Sequence, residues 1–121
     1  MRKFVLLSAL LIMFIGFNSC NKVKKQIVGT WTKYEQNDTI TVSYSDGESI
    51  KVNSPDYITS GHYWFESTDT QEDVKIYITT DDCDGVSTYH PIVDGKNLTM
   101  RVNYDTCAKR KEKIGGDFVK E

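Results

Sequence analysis

The sequence predicts an all-β fold built from about eight short strands. Three observations support this. Beyond residue 25 the apolar residues are mainly β-branched and aromatic, including all seven Tyr and both Trp of the chain, and this set favours strands. Strand-length runs alternate with turn residues at regular spacing. No run keeps the 3.6-residue period of an amphipathic helix. Short, regularly spaced strands are typical of a sandwich or an up-and-down barrel.

Each predicted strand is bounded by turn chemistry or shows alternation. Ile40, Val42 and Tyr44 share one strand face, Pro55 interrupts pairing because it lacks an N–H, and Asp94-Gly95 is a hairpin signal. The basic stretch 105–115 has room for one helical turn. The predicted strands are residues 26–35, 39–44, 49–53, 62–66, 73–80, 86–93, 97–104 and 116–120.

The N-terminal residues have the pattern of a secretory signal. Arg2 and Lys3 precede an uncharged apolar run over residues 4–17, which is short for a spanning helix. The sequence then continues Phe17-Asn18-Ser19-Cys20, which resembles the lipobox of bacterial lipoproteins. The resemblance implies a lipoprotein signal peptide at residues 1–19 and a Cys20 that carries acyl chains such as palmitate. The alternative is an ordinary secreted protein in which Cys20 has no role.

Lipidation would make residues 20–25 a tether and residues 26–121 the folded domain. Acyl chains on Cys20 hold a protein stably on a membrane. The three Lys of residues 22–25 either lie against anionic headgroups or, as we prefer, belong to a solvated linker. Asn21 follows Cys20 and no acidic run comes after it. We therefore expect an outer-membrane location facing the periplasm.

The charge of the chain argues against nucleic acid as a partner. Removing residues 1–19 removes Arg2 and Lys3, so 13 basic residues remain against 17 acidic ones, a net charge of −4. Nucleic-acid binding requires a basic face.

Two cysteines fall within the predicted domain, Cys83 and Cys107. An oxidising compartment beyond the inner membrane favours a disulfide between them. A two-Cys metal site or a reactive thiol is the alternative. Neither is favoured, because there is no Cys-x-x-Cys spacing and the chain has only two His.

Gly29-Thr30-Trp31 opens the first predicted strand. Gly29 and Trp31 share a face, so the indole can lie flat over the glycine backbone or over a neighbouring strand. Together with the hairpin of residues 90–100 and the closing residues 116–120, this motif resembles the lipocalin-like, calycin-type domains of small bacterial lipoproteins. The resemblance implies a small antiparallel up-and-down β-barrel of about eight strands. It also implies that a basic residue near the last strand stacks on Trp31, with Arg101 and Arg110 as candidates.

An eight-stranded barrel is either packed solid or holds one small ligand. Its aromatic residues can form the core, line an apolar cavity, or make an exposed patch for a protein partner. The candidate cavity-lining residues are Tyr44, Tyr63, Phe65, Met100, Tyr104 and Phe118.

The sequence predicts no catalytic residue, no metal and no cofactor. No motif places a nucleophile or acid beside His62 or His90, and neither a Gly-x-Ser-x-Gly elbow nor a phosphate-binding Gly loop is present. The acidic cluster 81–84 beside Gly85 does not fit an EF-hand, and we interpret it as a solvated turn.

These observations favour a non-enzymatic, membrane-anchored lipoprotein that binds a small hydrophobic ligand or serves a role in the cell envelope. The alternative is a protein-interaction module, an inhibitor or assembly factor, with a filled barrel. An open apolar cavity would favour the first function. A packed interior with exposed aromatic side chains would favour the second.

Overall fold

The computed structural model describes residues 22–66 and 74–121, which form a closed antiparallel β-barrel of eight strands in sequential order. The strands are β1 (Gly29–Glu35), β2 (Asp38–Tyr44), β3 (Ser49–Ser54), β4 (Tyr57–Phe65), β5 (Ile76–Thr80), β6 (Cys83–Asp94), β7 (Asn97–Tyr104) and β8 (Gly116–Lys120). Helix α1 covers residues 22–27, and helix α2 is Ala108–Ile114. The all-β barrel predicted from the sequence is confirmed. The predicted signal peptide and Cys20 lie outside the described residues.

Alternation along the strands builds the core. In β3 each second residue, Ile50, Val52 and Ser54, is buried and the intervening residues are exposed, because successive side chains point to opposite faces of a sheet. Several other strands follow the same rule, so apolar side chains meet inside the barrel.

No helix in the described part of the chain is long and apolar enough to cross a membrane.

The barrel closes where β1 meets β8. Only two residue pairs join these strands, Trp31 with Lys120 and Thr32 with Val119, whereas β1 and β2 share seven. Lys33 fills part of the remaining gap, because its Nζ donates to the carbonyl oxygen of Glu112 at 2.8 Å and to that of Gly115 at 2.7 Å. A cation is stabilised by these unpaired carbonyls at the end of a helix.

The up-and-down order assigns every connection to one of two ends. The α1 end carries α1 and the β2–β3 and β6–β7 turns. The α2 end carries α2 and the β1–β2, β3–β4 and β5–β6 turns. Contacts agree with this assignment, because Lys24 of α1 pairs with Glu48 of the β2–β3 turn at 3.4 Å, and Lys109 of α2 pairs with Asp56 of the β3–β4 turn at 2.6 Å.

The strand boundaries agree with the sequence in some places and differ in others. The bounds of β7 and β8 are those predicted, and the helical turn expected within 105–115 is α2. The first strand begins at Gly29 instead of residue 26, because residues 22–27 are helical. Val23, in the stretch we interpreted as a solvated linker, and Ile27, at the predicted start of the first strand, are both buried.

β4 is longer than predicted and starts at Tyr57. Gly61, which suggested a strand start, lies inside β4. A Cβ at this position would lie 1.8 Å from the carbonyl oxygen of Thr79, so Gly61 allows a close approach to the β5 backbone. β6 also starts earlier, at Cys83, and a register shift interrupts its pairing with β5. The fifth strand starts later than predicted: residue 73 lies outside the described residues, residues 74 and 75 are not in a strand, and β5 begins at Ile76.

Candidate functional site

The interior of the barrel is filled by its own side chains. Tyr44 and Tyr63 meet edge to face with ring centroids 5.4 Å apart, and Tyr63 meets Phe65 in the same way at 6.0 Å, an arrangement that aromatic pairs prefer. The buried cluster consists of Ile27, Trp31, Ile40, Val42, Tyr44, Ile50, Val52, Tyr63, Ile76, Ile78, Tyr89, Leu98, Met100, Ile114 and Phe118.

Five of the six candidate lining residues belong to this interior. Tyr44, Tyr63, Met100 and Phe118 are buried, and Phe65 is half-buried and packs against them. They belong to a packed core, which is one of the alternatives that the sequence left open for these candidate lining residues.

Tyr104 was placed wrongly, because it is 59% exposed on the outer face. A bulge in β7 explains the difference. Tyr89 pairs with Val102, but the preceding residue Thr88 pairs with Tyr104, so Asn103 is an extra residue in β7. Thr88 lies between the buried Ser87 and Tyr89 and therefore points outward. Its partner Tyr104 points the same way, as a bulge requires.

Trp31 is completely buried at the α1 end. Its Nε1 donates to the carbonyl oxygen of Ile27 at 2.8 Å, so the end of α1 covers the indole. The Nζ of Lys120 lies 5.3 Å from the ring centroid and donates to the carbonyl oxygen of Val28 at 3.2 Å. An ammonium group at this distance stabilises an aromatic ring electrostatically.

Lys120 therefore takes the place for which the resemblance suggested Arg101 or Arg110, and both candidates were wrong. Arg101 is exposed and Arg110 belongs to the α2 end. Gly29 has φ +134°, and a Cβ there would lie 3.0 Å from Cε of Lys120. The glycine thus leaves room for the lysine stem, where we had expected it to leave room for the indole.

A buried ion pair lies at the α2 end. Arg110 Nη2 donates to Asp105 Oδ1 at 3.0 Å, and the two side chains are 1% and 0% exposed. Arg110 Nη1 also donates to Thr80 Oγ1 at 3.1 Å. The Tyr89 hydroxyl donates to Asp105. Burial first, and then this bond, raise the pKa of Tyr89 above its ordinary value, so the phenol stays protonated as a donor.

The predicted disulfide between Cys83 and Cys107 is confirmed. Its Cα atoms are 6.5 Å apart, within the range that a bridge requires. It joins the first residue of β6 to the residue that precedes α2. The bridge therefore fixes the start of α2 to the barrel wall.

Asp56 in the β3–β4 turn holds the other side of α2. Its carboxylate accepts from Lys109 at 2.6 Å and pairs with Lys113 at 3.0 Å. The hydrogen bonds from Lys109 and Lys113 hold the pKa of Asp56 well below its usual range. The Asp56 carboxylate is therefore ionised in the folded protein at neutral pH.

The acidic stretch 81–84 is bonded to β4. Asp82 accepts from the hydroxyls of Tyr57 at 2.6 Å and Thr59 at 2.7 Å. Burial acts to raise the pKa of Asp82, but these hydrogen bonds outweigh it and lower the pKa. Among the described residues no group of three or more His, Cys, Asp or Glu side chains is arranged to hold a metal ion.

The two histidines lie on different strands of the barrel wall. His62 on β4 is exposed and pairs across the sheet with Thr79. His90 on β6 is half-buried and pairs with Arg101. Since β5 lies between β4 and β6, the two imidazoles have different cross-strand neighbours and are not paired with each other.

Tyr44 carries a polar atom that the packing leaves without a partner. Its hydroxyl is buried and makes no hydrogen bond. Burial first, and then the nearby Tyr63, raise the pKa of Tyr44 above its ordinary value. A buried hydroxyl without a partner costs free energy. A hydrogen-bond acceptor placed beside the Tyr44 hydroxyl would therefore stabilise this side chain.

The outer surface carries two apolar areas. On β4 and β5, Trp64 stacks on Tyr77 with ring centroids 5.6 Å apart. At the junction of β1 with β8 lies an open groove of about 280 Å³ beside Tyr34, which is 71% exposed. The groove is lined by Thr32, Tyr34, Asn97, Leu98, Thr99, Asp117, Phe118 and Val119.

Comparison of the chain with protein-family models, with curated proteins and with solved structures finds no match.

Proposed function

We propose that this protein is a lipid-anchored, non-enzymatic β-barrel lipoprotein of the cell envelope, of the lipocalin-like type, and that it acts through its outer surface on a protein partner. The supporting observation is the packed interior, in which Trp31, Tyr44, Tyr63 and Tyr89 fill the space that a ligand would occupy. An eight-stranded barrel can be packed solid by its own side chains, and this packing supports a function at the outer surface.

The exposed apolar side chains support the same proposal. The groove beside Tyr34 is lined by the exposed apolar side chains of Tyr34 and Val119 and by polar residues that include Asp117. Apolar centres with polar rims are typical of protein interfaces. A partner with an extended segment would fit this groove better than a small molecule, because the groove is open to solvent on one side.

Ligand binding inside the barrel is the second candidate function. The observation in its favour is the buried Tyr44 hydroxyl without a partner. A small molecule with an acceptor atom would complete its hydrogen bonding, provided that neighbouring side chains move.

Native mass spectrometry of the detergent-extracted protein separates these candidates. A packed barrel is expected to give the mass of the acylated chain alone. A small apolar molecule bound at one per chain, and lost in Tyr44→Phe but retained in Tyr63→Phe, would establish the second candidate and overturn the first.

Photo-crosslinking tests the partner directly. A photoreactive phenylalanine at Tyr34 is expected to give one discrete protein adduct in whole cells. The matched control places the same residue at Tyr104, which is also exposed but does not line the groove. Equal adducts from both positions, or none from Tyr34, would contradict a partner at the groove.

The anchor is tested separately. We expect Cys20→Ala to leave the chain unprocessed or released into the soluble fraction, whereas the parent protein is held at the outer membrane facing the periplasm. A mature-length Cys20→Ala protein that still partitions with membranes would overturn the lipoprotein assignment.

A further inference from the structure

The outer wall of the barrel carries a stacked aromatic pair on β4 and β5. Trp64 and Tyr77 are register partners, their ring planes differ by 8°, and Trp64 is 38% exposed. Side chains on the outer face of a barrel are usually polar. A flat indole and phenol side by side on this wall therefore require an explanation.

The pair lies at the α1 end of the barrel. Trp64 is followed by Phe65, the last residue of β4. The neighbouring Tyr63 N–H donates to the carbonyl oxygen of Glu48 at 3.0 Å, and Glu48 pairs with Lys24 of α1 at 3.4 Å. The end of β4, the β2–β3 turn and α1 are thus joined by direct contacts.

We propose that the Trp64–Tyr77 pair lies at headgroup level in the same bilayer that holds Cys20, and that it makes the second contact between barrel and membrane. This proposal rests on the proposed lipid anchor. Only Asn21 lies between Cys20 and the described start of α1 at residue 22, and a fully extended chain covers about 7 Å over two residue steps. The α1 end is therefore held at the membrane surface, and Trp64 is on the wall beside it.

The chemistry of the pair fits a lipid headgroup layer. Trp and Tyr are enriched at membrane–water interfaces, because each has an apolar ring and a polar tip. The Tyr77 hydroxyl, which is the polar end of its side chain, donates to Glu66 at 2.9 Å. The Tyr77 ring keeps its stacking contact with Trp64. One wall of the barrel would then face the membrane and the wall with the Tyr34 groove would face away from it.

Charges of both signs lie near the aromatic pair. The Glu66 N–H donates to the carbonyl oxygen of the exposed Lys75, which places an acidic and a basic residue opposite each other beside the pair. Lys24 is likewise paired with Glu48. Insertion of the aromatic rings is therefore expected on neutral phosphatidylcholine as well as on mixtures with phosphatidylglycerol.

The two tryptophans make the proposal measurable. Trp31 is completely buried and Trp64 is partly exposed. Changes in tryptophan fluorescence on adding lipid therefore report on Trp64. The lipidated protein is reconstituted on phosphatidylcholine vesicles, with and without phosphatidylglycerol, and acyl-chain-brominated phosphatidylcholine is the quencher. We expect a blue shift and quenching that are several times larger than in Trp64→Phe.

A matched variant moves the reporter along the same strand. Ile58 is 70% exposed and, like Trp64, points outward from β4, but it lies near the α2 end. Six residues of strand separate the two positions by about 20 Å. The double variant Trp64→Phe/Ile58→Trp is expected to show no quenching by the brominated lipid.

Flotation with the vesicles distinguishes failure of the anchor from failure of this proposal. Loss of both flotation and quenching overturns the anchor and the membrane contact together. A protein that floats while Trp64 stays unquenched, or that is quenched equally at Ile58→Trp, overturns the membrane contact alone. A floating, unquenched protein that is dimeric in detergent, and monomeric as Trp64→Phe, would assign the pair to contact between copies of this chain.

Discussion

At the α1 end of the barrel an apolar helical face covers a tryptophan, whereas at the α2 end a charged helix is held by an ion pair, two lysines and a disulfide. Val23 and Ile27 close the first end with Trp31, Lys120 lies over the indole, and the exposed pair Lys24–Glu48 is the other charged contact described there. The second end depends on Arg110 and Asp105, both buried. The α1 end is thus stabilised by burial of apolar area, which depends little on pH or redox state. The α2 end is stabilised by charged and disulfide-bonded side chains, each of which loses its contribution when its partner is removed.

Truncating Trp31 tests the apolar end and has the largest expected effect. Trp31→Ala should lower the free energy of unfolding by about 3–5 kcal/mol or prevent folding, because a buried Trp is replaced by a cavity. Thermal unfolding measures the change. The controls His62→Ala and His90→Ala should leave the fold intact, with the larger loss at the half-buried His90. A Trp31→Ala protein that melts within a degree or two of the parent would show that Trp31 is peripheral.

Removing Arg110 tests the charged end. Arg110→Met leaves the Asp105 carboxylate buried without its cation, which typically costs about 3–5 kcal/mol. Adding Asp105→Asn removes the uncompensated charge, so the double variant is expected to be more stable than Arg110→Met alone in urea unfolding. Lys111→Met, at an exposed position of the same helix, is the control. If the second substitution makes the protein less stable still, the pair does not behave as a buried ion pair.

Breaking the disulfide sharpens the comparison, because its effect should be local as well as global. Cys83 and Cys107 are 24 residues apart, and opening a loop of this size costs about 3 kcal/mol in the chain-entropy model. In Cys83→Ser/Cys107→Ser, amide hydrogen exchange should accelerate in α2 and remain unchanged around Trp31. Equal acceleration at both ends would mean that the two closures unfold as one unit.

The smallest expected effect is at Asp56, which is exposed. Its pKa is lowered in the folded protein by Lys109 and Lys113, so its contribution is present above the unfolded-state pKa and is lost as the pH falls through the folded-state pKa. Asp56→Asn should therefore be slightly less stable than the parent at neutral pH, and the difference should shrink below about pH 4. Asp94→Asn, at the last residue of β6 at the other end, should show no such difference. A stability difference between Asp56→Asn and the parent that grows as the pH falls would contradict a lowered pKa for Asp56.

The sequence predicted those features that depend on neighbours along the chain. Alternation and the Asp94-Gly95 turn define β7, and its observed bounds are those predicted. Cys83 and Cys107 were paired by elimination, because the predicted domain contains no other cysteine. A two-residue spacing placed Trp31 on the same strand face as Gly29, and Trp31 is fully buried.

Features that depend on distant residues were missed. Lys120 reaches Trp31 from the last strand, and no local pattern distinguishes it from the other lysines. Arg110 is buried because its partners Asp105 and Thr80 meet it in space. The helical face of α1 did have a signal, since Val23 and Ile27 are four residues apart, but the intervening lysines favoured a solvated linker. The bulge that turns Tyr104 outward has no signature in β7 that we could identify.

The junction of β1 with β8 also determines the order in which this chain can complete its fold. Each earlier strand pairs with its sequence neighbour, so hairpins can form as the chain emerges. The final contact joins residues far apart in sequence, as when Thr32 donates to Glu121 across 89 positions. Contacts of such high sequence separation form slowly. Until β8 arrives, the edges of β1 and β7 stay open, and open strand edges are sites of mispairing between chains.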